Sequence, residues 1–275
     1  MGKIGFIGFG AMGSIMIEAL VAAKAIPENK IILNTRTPEK LKDFASRHRK
    51  VEVSGNIKEL AVKSERVFIC TGTKEVKSVL EELVRYLPVN AHVITITGMI
   101  EIKCVESIFK GRVSKIIPTQ IVEVGEGVTL VCHNAEVKPA DREFIRSVFG
   151  QIGQVKEISE NQFDLGTELS SCSPAFYAAI LRNICDVAAQ HGRLAPEEIK
   201  EIVLATAYGT VKLLMEKDIG FTGLISRVAT KGGISEEGVK ILDQYMPAVF
   251  DNVLNATLDK RQKIKEAMRE QYGVK

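Results

Sequence analysis

The sequence has little that would support several common functions. Its five cysteines, Cys70, Cys104, Cys132, Cys172 and Cys185, form no CxxC pair and are odd in number. A disulfide framework is therefore not expected, and free thiols in a reducing cytoplasm are. His48, His92, His133 and His191 are scattered without ligand spacing, so no metal site is expected. Lys+Arg 37 against Asp+Glu 34 leaves a net charge of +3, too small to favour nucleic acid or an anionic membrane surface. No apolar run reaches bilayer-spanning length. The stretch 4–9 is short, interrupted by glycine and lacks a small-residue cleavage pattern, so no secretory leader is expected. Gly/Ser-rich linkers and internal repeats are missing too. What remains is a chain of 275 residues, 45% hydrophobic and 26% charged, expected to be soluble and globular and long enough for one large or two ordinary domains.

The most informative stretch is residues 3–13. An apolar run, Ile4 to Ile7, reads as a buried strand and leads directly into Gly8-x-Gly10-x-x-Gly13; residues 11–23 follow at helical spacing. Gly8 suits a tight turn, Gly10 a close backbone approach to a pyrophosphate, and Gly13 close helix–strand packing. The phosphates would sit at the helix N-terminus, over the N–H groups of Gly10, Ala11, Met12 and Gly13. Glycine-rich turns are common, but the strand before and the helix after favour dinucleotide binding over a plain βα turn.

Residues 30–34, 67–71, 92–97, 113–117 and 128–132 read as further strands, with helices at 38–49, 75–86 and 139–150. This alternation predicts an α/β fold with a Rossmann-type, mostly parallel sheet covered on both faces. It stops near Val155, and long helical patterns follow at 160–191, 196–217 and 235–270. We therefore expect a Rossmann domain over residues 1–155 and an all-α domain over 156–275. Apolar residues such as Phe176, Ile180, Ile184, Val203, Val211 and Leu214 crowd the helical half. They favour a homodimer, or a higher homo-oligomer, over a self-contained bundle.

The end of the second strand selects the cofactor. An NAD site carries Asp or Glu there for the ribose 2′-OH, whereas an NADP site accommodates a 2′-phosphate with arginine. The sequence here is Leu33-Asn34-Thr35-Arg36-Thr37. With no acid present, Arg36 flanked by the hydroxyls of Thr35 and Thr37 predicts NADP (NADPH), with NAD as the alternative. Thr71, Gly72 and Gly98, at or just beyond two of the strand-like runs, complete the expected cofactor set.

A second unusual stretch is residues 228–239, where Thr230-Lys231-Gly232-Gly233 precede Ser235 and a long helical pattern. Its turn N–H groups would suit a carboxylate, and Ser235 could equally be a helix cap. This stretch resembles the Ser-Pro-Gly-Gly-x-Thr-x-x-Gly/Ala signature of the pyrroline-5-carboxylate reductase family. Thr230, Lys231, Gly232, Gly233 and Ser235 occupy the signature places in turn, followed by Gly238. The remaining motifs fall in the family's order. They are the N-terminal Gly-Phe-Ile-Gly, the turn Thr35-Arg36-Thr37, Ile117-Pro118 with Val124-Gly125-Glu126-Gly127, and Ser173-Pro174-Ala175-Phe176. The departures are Thr119 for the family's Asn, Thr71-Gly72-Thr73-Lys74 for its Ala-Val-Lys-Pro loop, Lys231 for the signature proline and Ser235 for its threonine. Several of them are similar to the late-competence branch of the family.

The resemblance implies a Rossmann domain joined to a helical dimerisation domain, and NADPH-dependent reduction of a small cyclic imino acid. It also implies site roles. The Gly232 and Gly233 N–H groups would hold the substrate carboxylate, and Ser235 Oγ would hydrogen-bond near the imine nitrogen. The alternative is a non-catalytic NADP-binding regulatory protein of the late-competence type. The N-terminal pattern Gly5–Met16 also resembles β-hydroxyacid dehydrogenases, but residues 162–177 lack their catalytic Lys and the Asn four residues on.

Overall fold

The structure, a computed structural model, describes residues 2–275. It divides into two compact units, Met1–Cys172 with Leu258–Lys275, and Ser173–Thr257. The first begins with β1 (Lys3–Ile7), α1 (Ala11–Ala22), β2 (Ile31–Asn34), α2 (Lys42–Arg47), β3 (Glu52–Val53) and α3 (Ile57–Lys63). It continues through β4 (Ser64–Ile69), α4 (Val76–Leu83), β5 (His92–Thr95), α5 (Ile102–Glu106), β6 (Arg112–Ile117), β7 (Val128–His133), α6 (Pro139–Phe149), β8 (Gln154–Glu157) and α7 (Phe163–Thr167). The second holds α8 (Ser173–Gln190), α9 (Pro196–Glu216), α10 (Gly220–Val228) and the start of α11 (Ile234–Tyr272), whose last turns, from Leu258, belong to the first unit.

The eight strands form one sheet in the order β3-β2-β1-β4-β5-β6-β7-β8. All neighbours pair in parallel except β6 with β7, so the expected mostly parallel Rossmann-type sheet is present. Its order reverses between β1 and β4, and crevices for ligands open at the carboxyl ends of strands at such a switch point.

Alternating side chains give the sheet two cores. Ile4, Phe6, Leu33, Phe68 and Ile94 face α1 and α6 through Met16, Ile17, Leu20, Ile145 and Phe149. Ile7, Ile32, Val67, Ile69 and Val93 face the other way, toward Leu60, Leu80 and Leu83 and toward Met268 and Tyr272 of α11. Phe6 and Phe68 stack at 4.7 Å between ring centroids, one strand apart across the switch point.

Three of the segments and boundaries expected from the sequence differ in the structure. The segment 38–49 begins as a 3-10 turn, Pro38–Leu41, before α2. The segment 160–191 is not one helix: a five-residue π segment, Glu168–Cys172, separates α7 from α8. The compact first unit also runs past residue 155 to Cys172 and takes back Leu258–Lys275. Ionic pairing and burial at the chain's C-terminal end explain this last difference. Arg261, Lys265 and Arg269, four residues apart on one face of α11, pair with Glu168, Asp164 (2.7 Å) and Glu101 (2.6 Å) of the first unit.

Candidate functional site

The turn after β1 forms the floor of a cleft at the switch point. Gly8 has φ +104°, and a Cβ there would stand 2.8 Å from the Cys70 carbonyl, so only glycine lets the ends of β1 and β4 come this close. At Gly10 a Cβ would meet nothing within 4 Å, which is open space above the turn. At Gly13 it would meet Gly8 O at 3.0 Å and Cys70 Cβ at 3.1 Å, so glycine allows α1 to pack on the turn. No side chain caps α1, and its first turn carries no acid. The helix-start N–H groups of Ala11, Met12 and Gly13 and the positive dipole end therefore suit a phosphate. These features fit a bound pyrophosphate.

Two cavities open on either side of this turn. One, of about 430 Å³, is bordered by Gly8, Gly10, Thr35, Arg36, Thr37, Thr71 and Gly72. The other, of about 510 Å³, is bordered by Gly10, Ala11, Met12, Thr71, Gly72 and Gly98. The residues singled out for the cofactor thus come together around one continuous floor, with Gly13 beneath it. Asn34, at the end of β2, donates to Ser54 O at 3.1 Å, and the strand end and its turn, Leu33-Asn34-Thr35-Arg36-Thr37, carry no acidic residue. Arg36 is 84% exposed and pairs at 2.7 Å with Glu75 across the mouth of the first cavity. Lys40, absent from the sequence-based set, borders the same cavity and adds a second cation.

The second cavity reaches residues that no sequence pattern suggested. Its far wall is formed by Ile117, Pro118, Thr167, Ser171, Cys172 and Arg261. The π segment turns Ser171 and Cys172 toward this wall, and π bulges inside helices often mark functional positions. Arg261 is 3% exposed, and its Nε and Nη2 both donate to Glu168 Oε1, the Nε bond at 2.9 Å. Two turns further along α11, Arg269 donates through two nitrogens to Glu101, whose carboxyl it holds down at about 2. Across the loop ends of β4 and β5, the Thr73 and Thr97 hydroxyls meet at 3.1 Å. Burial raises the thiols of Cys70 and Cys172 above their usual range, and the Glu168 charge adds to the shift at Cys172. Both are therefore neutral walls at physiological pH. Thr119, which stands where the family has Asn, is fully buried, and its hydroxyl finds no partner among the described residues.

The residues expected to act on substrate lie in the second unit. Gly232 has φ +75°, and its N–H donates to Glu236 Oε2 at 2.8 Å. The Gly233 N–H closes the turn onto Thr230 O at 2.8 Å. α11 begins at Ile234, so Ser235 sits inside its first turn rather than before it. There Ser235 borders a cavity of about 520 Å³ with Thr206, Leu213, Ile225 and Val239.

Comparisons with known proteins cover both units. Residues 160–264 match the family described as pyrroline-5-carboxylate reductase dimerisation. Residues 3–98 match the family described as NADP oxidoreductase coenzyme F420-dependent. Among curated relatives, pyrroline-5-carboxylate reductase 3 of Bacillus subtilis is 30% identical over 274 residues, 99% of each chain. ComE operon protein 4 of the same organism is 25% identical over 272 residues, 99% of this chain and 100% of its own length. Among solved structures, a pyrroline-5-carboxylate reductase from Coxiella burnetii superposes with a TM-score of 0.87 at 24% identity, covering 96% of this chain and 98% of its own. The Plasmodium falciparum pyrroline carboxylate reductase with NADP bound gives 0.83 at 23% identity, covering 97% and 98%. Both share the fold.

Proposed function

The chain belongs to the pyrroline-5-carboxylate reductase family, and on that premise we propose that it is an NADPH-dependent reductase of a small cyclic imino acid, Δ1-pyrroline-5-carboxylate or a related imine. The observation that carries this reading is the switch-point cleft. Its glycine floor leaves open space above Gly10, and its β2 end offers Arg36 instead of an acid. The turn Gly8–Gly13 and the start of α1 hold the pyrophosphate. Thr35, Arg36 and Thr37, with Lys40, receive the 2′-phosphate, and Thr71, Gly72 and Gly98 flank the nicotinamide end. When bound, the dihydronicotinamide supplies a hydride to the carbon of a C=N bond.

The chain's own residues then have positioning work to do. The turn at Gly232 and Gly233 receives the substrate carboxylate, and Ser235 Oγ hydrogen-bonds at the imine nitrogen. The Gly232 N–H already holds a carboxylate, that of Glu236, and a substrate carboxylate takes over that position. A substrate that arrives as an iminium brings its own proton, so no strong base is required. Two copies assemble through the helical unit, as the match over 160–264 supports. We place the protein in the cytoplasm, where its free cysteines stay reduced.

The test is NADPH oxidation with pyrroline-5-carboxylate. Ser235→Ala is expected to lower turnover roughly five- to a hundredfold, the loss of one transition-state hydrogen bond, with NADPH affinity nearly unchanged. Ser235→Thr keeps much of the activity. A second reading, a regulatory NADP-binding protein without turnover, draws support from the similarity to ComE operon protein 4 and from Thr119. It prevails if the wild type binds NADPH and reduces no imine.

A further inference from the structure

Arg261 borders the second cavity with one nitrogen left over. Nε and Nη2 are committed to Glu168. Among the described residues Nη1 has only the Met99 thioether, at 3.9 Å, a weak acceptor for a charged donor. A guanidinium that is 3% exposed and lacks a good acceptor on one nitrogen is costly to bury. The loop after β5 makes room for it, because a Cβ at position 98 would stand 3.2 Å from Nη1. The same Cβ position is 3.7 Å from Thr167 Oγ1, another residue of this wall. The Thr167 hydroxyl donates to Phe163 O at 2.6 Å, which commits its proton and leaves its oxygen able to accept. A spare donor and a spare acceptor thus flank Gly98 together.

We propose that Arg261 Nη1 and Thr167 Oγ1 form a carboxamide clamp, receiving the oxygen and the NH₂ of the nicotinamide amide respectively and fixing the ring's orientation. This assignment rests on the NADPH reading above. A neutral amide suits the site better than a substrate carboxylate for two reasons. Glu168 already neutralises the guanidinium, so a second anion would add an uncompensated buried charge. A carboxylate would also offer Thr167 no donor. Sequence spacing hides the clamp: Arg261 lies 93 residues beyond Glu168 and reads as one cation on a solvated helix face.

Binding calorimetry with three probes tests the assignment: NADPH, 2′-phospho-ADP-ribose, which lacks the nicotinamide, and the acetylpyridine analogue of NADPH, which keeps the carbonyl and replaces NH₂ with methyl. Arg261→Lys retains a cation for Glu168 but removes Nη1. It is expected to weaken NADPH and the acetylpyridine analogue roughly ten- to a hundredfold while leaving 2′-phospho-ADP-ribose unchanged. Thr167→Val is expected to weaken NADPH about two- to tenfold and to spare the acetylpyridine analogue. If Arg261→Lys does not fold, the double variant Arg261→Met with Glu168→Gln leaves no orphaned charge and carries the same expectation. Equal losses for NADPH and 2′-phospho-ADP-ribose, or no loss for either, overturn the clamp while the cofactor reading stands. A wild type that binds neither probe overturns both.

Discussion

The two units of this chain bury their apolar residues to very different degrees. In the first, the sheet residues Phe6, Ile32, Val67, Phe68 and Val93 are at most 1% exposed, and each core is closed by helices of the same unit. In the second, Tyr208 is 69% exposed, Phe221 77%, and Ile202, Leu204, Val211, Ile241 and Leu242 are also open to solvent. Among its described apolar residues only Ile199 is buried. A monomer rarely leaves so many large apolar side chains in the open. The lesson is that the first unit is stabilised within one chain, whereas the second presents the kind of open apolar surface that association covers, in keeping with its match to a dimerisation family.

The largest effect that would break this contrast lies in the helical unit. Val211→Asp sets a charge on the exposed face of α9, and an unpaired charge buried on assembly costs about 3–5 kcal/mol. Light scattering is expected to find a dimer or larger wild type and a dissociated variant; a folded wild-type monomer at micromolar concentration refutes the contrast. Core truncations sharpen it. Phe68→Ala is expected to cost about 3–5 kcal/mol at any protein concentration. Leu204→Ala is expected to lower the melting temperature by an amount that depends on protein concentration, because its burial depends on a second copy.

Smaller effects concern the first unit's charges. Arg36→Glu is expected to weaken NADPH by about 1.5–3 kcal/mol and to reverse the preference over NADH. Glu75→Gln, which frees Arg36 from its partner, is expected to tighten NADPH a few-fold, read by fluorescence titration. Equal wild-type affinities for the two cofactors would remove the 2′-phosphate assignment.

Acid sensitivity is a further effect in the same unit. The Ser114 hydroxyl bridges His92 Nε2 at 2.7 Å and His133 Nδ1 at 2.6 Å. Burial depresses both imidazoles, His92 to about 3, with Arg112 and Arg66 reinforcing it against the pull of Asp141. At His133, Arg142 adds to the depression while Glu157 and Asp141 oppose it. The folded state keeps these rings neutral, whereas the unfolded chain takes up protons below 6.5. Stability is therefore fully present above pH 6.5 and is lost as pH falls toward 3. Urea titrations are expected to show about 1–3 kcal/mol less stability at pH 4.5 than at pH 7, with the difference reduced in His92→Gln.

The cofactor half of the site was legible because its signals are local. Gly8, Gly10 and Gly13, the strand before them and the acid-free turn Thr35-Arg36-Thr37 each act through neighbours within a few residues, and Gly8, Gly10, the strand's last residue Ile7 and the turn border the cleft in the fold. The β-branched runs of the central strands were legible for the same reason: strands buried on both faces read as continuous apolar segments. The edge strands β3 and β8 were not, since Glu52–Val53 and Gln154–Glu157 carry polar residues and pair on one side only. Nor could the split of 160–191 be read, because a π segment keeps helical periodicity on both sides of itself.

By itself the sequence determined the alternating half, the glycine turn after β1, the acid-free end of β2 and the apolar character of the helices, since each depends on residue type and short spacing. Tertiary structure alone decided which distant charges meet. Arg261, Lys265 and Arg269 look like a solvated face until α11 sets them against Glu168, Asp164 and Glu101. Gly98 looks like a loop glycine until Nη1 of Arg261 arrives beside it. The physical reason is range. Backbone propensity and hydrophobic period act over a few residues along the chain, whereas the partner of a buried charge is fixed by three-dimensional packing, which a one-dimensional pattern does not record.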